Sequence, residues 1–218
     1  MESCCRPPED CSGTSAFFNR WAASYAKGFR KGKLDRIQKY LLRGIQLSSL
    51  DGRSVLDIGC GAGQVHLTLL KEGADHALGI DLSDAMLKEA QKFAANLGLA
   101  GRTQYVQGDF TQLSSSISEC DIIILDKVVC CYEHLDDLIQ KSAGKTKGVF
   151  ALTHPKENLL TKALFKGHEA IAKLLRWDFH PFWHDWSKMK SRILSEGFTL
   201  QYEKSTLTWH ALVFQRTT

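Results

Sequence analysis

The hydrophobic positions of this chain change period several times, and the changes divide it into elements. Over residues 15–29, Phe17, Phe18, Trp21 and Tyr25 recur at near-helical spacing, so a helix is predicted there, interrupted by Gly28 and Gly32. A second helix is predicted over 34–45, with Leu34, Ile37, Leu41 and Leu42 on one face. After the turn signal Asp51-Gly52 the pattern becomes short apolar runs separated by helical stretches. Strands are predicted at 54–58, 77–80, 104–107, 121–125 and 148–153, and helices at 64–71, 83–97 and 135–142. Ser83 is suited to cap its helix and Gly98 to end it. Asp121-Ile122-Ile123-Ile124-Leu125 is almost continuously apolar, the mark of a strand buried on both faces. This alternation means βαβ units, a parallel sheet and helices on both of its faces. The end differs: a helix over 184–196 closed by Gly197, then two strands, 199–204 and 207–214, turning near Ser205. That hairpin predicts an antiparallel edge on an otherwise parallel sheet, an α/β fold of seven strands.

One further helix, over 157–176, lies beyond the regular alternation. Leu159, Leu160, Ala163, Leu164, Ala170, Ile171, Leu174 and Leu175 form its apolar stripe, while Lys156, Lys162, Lys166, Lys173 and Arg176 lie mostly off it. It is a candidate cover over a site.

Length and composition narrow the class. The 218 residues suit one domain, and 44% hydrophobic with 24% charged residues excludes whole-chain disorder. No run of about 20 apolar residues is present, so no spanning helix is predicted, and the first residues lack the apolar segment of a secretory signal. Residues 1–13 read as a polar tail and 14–218 as the single domain, with capping helices over 14–48 and a substrate lid over 155–186. The net charge of +4 is mildly basic and does not by itself imply nucleic acid. The run Lys27, Arg30, Lys31, Lys33, Arg36, Lys39 is a solvated face or an attraction site for an acidic substrate, RNA or a membrane surface. Seven cysteines, an odd number, read as free thiols in a reducing, cytoplasmic setting.

The strongest chemical signal is Asp57-Ile58-Gly59-Cys60-Gly61-Ala62-Gly63-Gln64, after a predicted strand and opening a predicted helix. Glycines there permit positive φ and close approach of a ligand to the backbone, and a helix start offers free N–H groups. The dinucleotide spacing G-x-G-x-x-G is not met, because Gln64 stands at its third glycine. Asp57, two residues before the first glycine, suits a cationic ligand better than a pyrophosphate; S-adenosylmethionine carries a sulfonium and an α-ammonium. A second acid, Asp81, ends the next strand 18 residues after Gly63. In a doubly wound sheet that strand end lies beside the first, and a carboxylate there can accept both hydroxyls of a ribose.

These motifs resemble those of the class I S-adenosylmethionine-dependent methyltransferases, whose fold is Rossmann-like. The resemblance covers roughly residues 50–153 at motif level and extends to 218 by topology. It implies S-adenosyl-L-methionine as cofactor and S-adenosyl-L-homocysteine as product. It assigns Asp57, Gly59, Cys60, Gly61, Gly63 and Gln64 to the methionine end, Asp81 to the ribose with Leu82 beside it in the cofactor set, and Asp109 and Phe110 of Gln107-Gly108-Asp109-Phe110 to the adenine. Met86, Leu125 and Lys127 complete the implied cofactor set. Asp126-Lys127-Val128-Val129 stands where amino-methylating nucleic-acid enzymes carry Asn/Asp-Pro-Pro-Tyr/Phe, which disfavours that chemistry. Phe17-Phe18-Asn19-Arg20-Trp21-Ala22 with Tyr25, and Gly197-Phe198 before the last strands, are similar to segments of the ubiquinone-biosynthesis and magnesium-protoporphyrin O-methyltransferases.

Methyl transfer is an in-line displacement at an activated carbon, so the protein mainly positions a nucleophile, and oxygen or nitrogen acceptors need a base nearby. The candidate catalytic residues are His134, Tyr132 and Tyr25, with His154 and His180 as further candidate bases. The aromatic run from Phe179 to Trp186, which includes His180 and His184, would wall a pocket for a flat substrate. Cys4, Cys5 and Cys11 in the tail and Cys130-Cys131 beside the site would form a thiolate or metalloid site only if the tail folds over, and no metal is assigned. The expected activity is methyl transfer to an O, N or carboxylate group of a small molecule by a monomer or homodimer, without stable nucleic-acid binding. The alternatives are thiol, metalloid or RNA methylation, or nucleotide binding without transfer.

Overall fold

The computed structural model describes residues 12–30, 34–175, 177, 179 and 181–217. Two helices, α1 (Ser12–Arg30) and α2 (Arg36–Ile45), precede the alternating region. There follow β1 (Ser54–Ile58), α3 (Gln64–Lys71), β2 (His76–Asp81), α4 (Asp84–Asn96), β3 (Thr103–Gln107), the one-turn α5 (Phe110–Leu113), β4 (Cys120–Leu125), α6 (Leu135–Gly144) and β5 (Thr146–Pro155). The chain closes with α7 (Leu159–Leu175), α8 (Trp186–Ser195), β6 (Phe198–Ser205) and β7 (Trp209–Arg216).

The seven strands form one sheet in the order β3-β2-β1-β4-β5-β7-β6. Strands β1 to β5 pair in parallel, and β7 runs antiparallel to both β5 and β6, which is the predicted edge hairpin. Alternate side chains of the central strands enter two separate cores. Val55, Ile122, Ile124, Val149 and Ala151 pack with Ile37 and Leu41 of α2, Leu67 of α3 and Phe93 of α4. Leu56, Ile123, Leu125, Phe150 and Leu152 pack with Leu138 of α6 and with Trp186 and Ile193 of α8. A parallel sheet is stable only when both faces are covered in this way. β4 therefore has no polar alternation to show, as its sequence indicates.

Helix starts follow their caps. Asp35 closes a capping box with Gln38, Ser83 accepts from Met86 N, and Asp185 accepts from Lys188 N, so α8 begins two residues later than the predicted start at 184. α1 runs through Gly28 to Arg30, further than predicted, because a helix-interior glycine costs only about 1 kcal/mol. Gly32, Lys31, Lys33, Arg176, His180 and the tail cysteines Cys4, Cys5 and Cys11 lie outside the described residues. Among the described residues no helix is long and apolar enough to cross a membrane.

Candidate active site

Between β1 and β4 the strand order reverses: β2 and β3 lie to one side of β1, and β4 onward to the other. Open α/β sheets bind ligands outside the carboxyl ends of strands at such a point. A cavity of about 720 Å³ lies there, walled by the glycine loop, the ends of β2 and β4, and residues of α1, α2 and α7.

The loop after β1 is held by backbone bonds. Gly59 N and Cys60 N both donate to Ile80 O, at 2.7 and 3.0 Å, so β1 and β2 end in register. Gly59, Gly61 and Gly63 all have positive φ, at 66°, 53° and 86°. At Gly59 a Cβ would sit 2.4 Å from Val128 Cγ2, whereas at Gly61 it would meet nothing within 4 Å. Gly59 is thus required by close packing against the β4 loop, and Gly61 presents bare backbone to the cavity. Gly63 opens α3 without any side-chain cap, so the first N–H groups of that helix are not covered by a capping residue.

Two carboxylates flank this loop. Asp57 is 2% exposed, and its Oδ2 lies 2.8 Å from Nδ1 of the fully buried His66. Nε2 of His66 lies 3.0 Å from the Tyr105 hydroxyl, whose pKa burial pushes well up. With the carboxylate accepting from Nδ1–H, Nε2 accepts from the phenol, and the imidazole is fixed between β1 and β3. Asp81 accepts from Gly61 N and from Ser83 N, each at 2.8 Å. Burial raises its pKa to about 6; those two N–H groups work against the rise, and Asp57 adds to it. Asp57 and Asp81 both stand in the cavity wall, so the end of the cavity beside the glycine loop is acidic and fits a cationic ligand.

The loop after β4 carries a second polar network. Lys127 has φ 61°, and its N–H donates to Thr153 Oγ1, which donates to Asp126 Oδ1 at 2.7 Å. Gln38 Nε2 donates to Asp126 Oδ2 at 2.9 Å, and Lys127 Nζ pairs with Asp35, so α2 is tied to this loop. Burial works against the Lys127 charge, but Asp126 and Asp35 outweigh it and its pKa rises. Burial also raises Asp126. Cys130 and Cys131 line the cavity with their sulfurs 3.9 Å apart. The hydrogen bond with Cys130, which favours the protonated Cys131, and burial push Cys131 well up, and burial does the same to Cys60, so both are neutral thiols. Among the described residues no group of three or more His, Cys, Asp or Glu is placed to share a metal ion.

The opposite wall is aromatic and helical. Ser15 Oγ donates to Leu82 O, and Asn19 Oδ1 accepts from Ser83 Oγ and Ala85 N, which pins α1 across the end of β2. Phe179 stacks on Phe17 at 4.8 Å and meets Phe18 edge-on at 5.4 Å. Phe165 of α7 meets Trp183 at 5.1 Å. Phe18, Phe165, His168, Phe179 and Trp209 face the cavity.

Of the residues predicted from sequence, Tyr25, Tyr132, Asp57, Gly59, Cys60, Gly61, Gln64, Asp81, Leu82, Met86 and Lys127 line the cavity. Others do not. Gly63 and Leu125 lie behind its wall; Phe110, the first residue of α5, is buried. Asp109 caps α5 and accepts from Thr111 N, Thr111 Oγ1 and the Tyr132 hydroxyl, the last at 2.8 Å. His134 is exposed at the N-cap of α6. The tight turn closed by Cys131 N→Val128 O brings Cys130 and Cys131 to the cavity and carries the chain outward before residue 134. His154 is buried between the rings of Trp186 and His210, away from the cavity, and burial lowers its pKa to about 4. His184 Nε2 donates to Tyr132 O. Four cavity residues carry no signal of their own in the sequence: Asp35, Gln38, His168 and Trp209 reach the site from segments remote from the motifs.

Residues 55–146 match a family model described as "Methyltransferase domain". The chain is 34% identical over 100 residues to a ubiquinone biosynthesis O-methyltransferase of Methylococcus capsulatus, covering 46% of this chain and 40% of that protein. It is 29% identical over 143 residues to a sterol 24-C-methyltransferase of Aspergillus fumigatus, covering 66% of this chain and 35% of that one. The chain thus spans two fifths or less of the length of these relatives. Among solved structures, the magnesium protoporphyrin IX methyltransferase of Synechocystis PCC 6803, crystallised with bound S-adenosylmethionine, superposes with a TM-score of 0.71 at 18% identity, covering 99% of this chain and 100% of that one. At that identity the likeness shows a shared fold.

Proposed function

Because this chain carries a methyltransferase domain on the Rossmann-like class I methyltransferase fold, the fold of enzymes that use S-adenosylmethionine, we propose that it transfers a methyl group from S-adenosylmethionine to an oxygen, nitrogen or carboxylate group of a flat, largely apolar small molecule. The observation that carries this reading is the asymmetry of the cavity. Bare backbone at Gly61 lies between two carboxylates at one end, and aromatic side chains from α1, α7 and the segment after it form the other.

S-adenosylmethionine, when bound, supplies a methyl group already activated by its sulfonium. The chain's own residues bind and orient. Asp57, held by His66, and the uncapped start of α3 suit the ammonium and carboxylate of an amino acid. Asp81 suits a pair of vicinal hydroxyls, for which it would exchange its bond to Gly61 N. Met86 and Leu82 offer apolar contact to a base. At the acceptor end, α1 and the segment through 186 form the cover. His168 is the imidazole on the cavity wall among the described residues, and it is the proton acceptor in this reading. Burial raises the Tyr25 phenol, with Cys131 adding and Lys127 opposing, so Tyr25 keeps its proton and orients the acceptor by donating it in a hydrogen bond. Tyr132, engaged with Asp109 and Thr111, braces the β4 loop against α5. The relatives include a ubiquinone biosynthesis O-methyltransferase and a sterol 24-C-methyltransferase, which agrees with an apolar acceptor.

Calorimetric and thermal-shift titrations test the cofactor. S-adenosylhomocysteine should bind and raise stability by about 2.7 kcal/mol at a hundredfold excess over its Kd, and NAD should leave the unfolding temperature unchanged. A shift with NAD and none with S-adenosylhomocysteine would replace this reading with a nicotinamide enzyme.

A further inference from the structure

Helix α7 is apolar around most of its circumference, although only part of that surface faces the protein. At about 100° per residue, its side chains sort into three arcs. Thr161, Phe165, His168 and Ala172 face inward; Thr161 and Ala172 are fully buried, and the other two line the cavity. Lys162, Lys166 and Glu169 share a charged flank, with Lys162 Nζ 5.6 Å from the Trp183 ring. Between them lies an outward arc of roughly 140° with no charge in it. It holds Leu159 at 89% exposure, Leu174 at 82%, and Leu160, Ala163, Ala170 and Ile171.

The surroundings extend this face. Lys156 N donates to Thr208 O and Asn158 Nδ2 to Leu207 O, so Leu207, 71% exposed, sits beside the start of α7. At the other end Trp177 joins His168 to Trp21 of α1, which is itself exposed. Leu164 and Tyr25 line the cavity and are more than half exposed, so the cavity reaches the surface at the edge of the same face.

We propose that the outer face of α7 docks this chain onto an anionic lipid surface, with the mouth of the cavity turned toward the bilayer. The arrangement is that of an interfacial helix: large aliphatic side chains on one side, lysines on the flank, an aromatic at the margin. Charge complementarity selects this occupant. Lys162 and Lys166 would lie at headgroup depth, where an anionic surface attracts them. Docking deepens the reading of the site, because an apolar acceptor would pass from acyl chains into an apolar wall without crossing water.

Sedimentation of the full chain with sonicated vesicles tests the docking. The chain should partition onto phosphatidylcholine vesicles containing about 30% phosphatidylglycerol, bind pure phosphatidylcholine weakly, and release as salt is raised. Leu159→Asp with Leu174→Asp should cut partitioning at least about tenfold. Lys162→Gln with Lys166→Gln should cut it about fivefold per lysine removed, on anionic vesicles only. All four side chains point to solvent, so unfolding temperatures should hold. Absence of partitioning, partitioning that the leucine pair leaves unchanged, or a lipid-free dimer that the leucine pair abolishes would each overturn the proposal. The S-adenosylhomocysteine shift, measured on the same samples, separates the two readings: a shift without vesicle binding removes only the docking, and vesicle binding without a shift removes only the assignment of the site.

Discussion

The two ends of the cavity are built by different means. The acidic end is backbone: the glycine loop hangs from Ile80 O by two hydrogen bonds, and Asp57 and Asp81 occupy the carboxyl ends of adjacent parallel strands. The aromatic end is side chain: Phe17 and Phe18 come from α1, Phe165 from α7, and Phe179 and Trp183 from the segment after it, and they meet only by packing. A backbone cradle admits few substitutions, since φ and interstrand spacing leave no slack, whereas an aromatic wall can be rebuilt from other rings. Accordingly the family match begins at residue 55 in β1, ends at 146 as β5 starts, and includes neither α1 nor α7. The same contrast predicts that damage at the acidic end abolishes cofactor binding and damage at the aromatic end changes the acceptor.

The largest effect should come from Asp81→Asn. The substitution keeps the shape of the side chain but removes the charge that would hold two hydroxyls, a loss of about 3 kcal/mol, or roughly 100-fold in S-adenosylhomocysteine affinity. The fold should not weaken at neutral pH, because burial already opposes the ionised form of Asp81. Titration calorimetry with unfolding curves on the same preparation checks both halves. Affinity within threefold of the parent would remove Asp81 from the binding reading.

How much was legible follows from the same division. Where an element is set by local pattern, its sequence is enough. The 64–71 helix and the 54–58 strand appear at their predicted bounds, and the isoleucines of β4 reveal burial on both faces because no polar residue interrupts them. The glycine loop is legible because positive φ demands glycine, and that demand is written in three letters. His66 was not legible. It sits among Val65, Leu67 and Leu69 on the buried face of α3, and nothing local shows that Asp57 lies across the interface from it. His134 misled for the opposite reason. Its position after a strand suggested the site, but the direction of a side chain after a turn depends on the turn's closure, here Cys131 N→Val128 O. Asp35 and Gln38 were not legible either: they close the capping box of α2, and their second task at Asp126 and Lys127 exists only once α2 has packed.

At the aromatic end the expected effects are smaller and fall on turnover. Tyr25→Phe removes one hydroxyl from the cavity wall and should lower kcat about tenfold while leaving S-adenosylhomocysteine affinity within a factor of about two. His134→Ala, at an exposed N-cap outside the cavity, should leave both unchanged. Transfer of a labelled methyl group to a panel of hydroxyaromatic and carboxylic acceptors provides the rate. Should His134→Ala fall further than Tyr25→Phe, the β4–α6 turn must open during turnover, and the acceptor end is misplaced.

The smallest net effect is a cancellation. Burial moves two groups in opposite directions: Asp81 up to about 6 and His154 down to about 4. His154 lies against the rings of Trp186 and His210; Glu203 raises its pKa, and His210 and Lys190 lower it. Its folded pKa is below its unfolded value of 6.5, so the folded chain binds fewer protons there, and stability is lost as pH falls from 6.5 to 4. The full loss is about 3 kcal/mol. Asp81 has a folded pKa above its unfolded value of 3.8, so the folded chain takes up its proton first, and stability is gained between pH 6 and 3.8, again by about 3 kcal/mol. In the parent the two nearly cancel over the window they share. In variants they part: between pH 7 and 4, His154→Phe should gain stability relative to the parent, and Asp81→Asn should lose it, each by up to about 3 kcal/mol. Urea unfolding at pH 7, 5.5 and 4 gives the differences, in which the exposed carboxylates common to all three chains drop out. Parallel curves for all three would mean that neither group is held in its buried environment, and that the acidic end of the cavity is open to water.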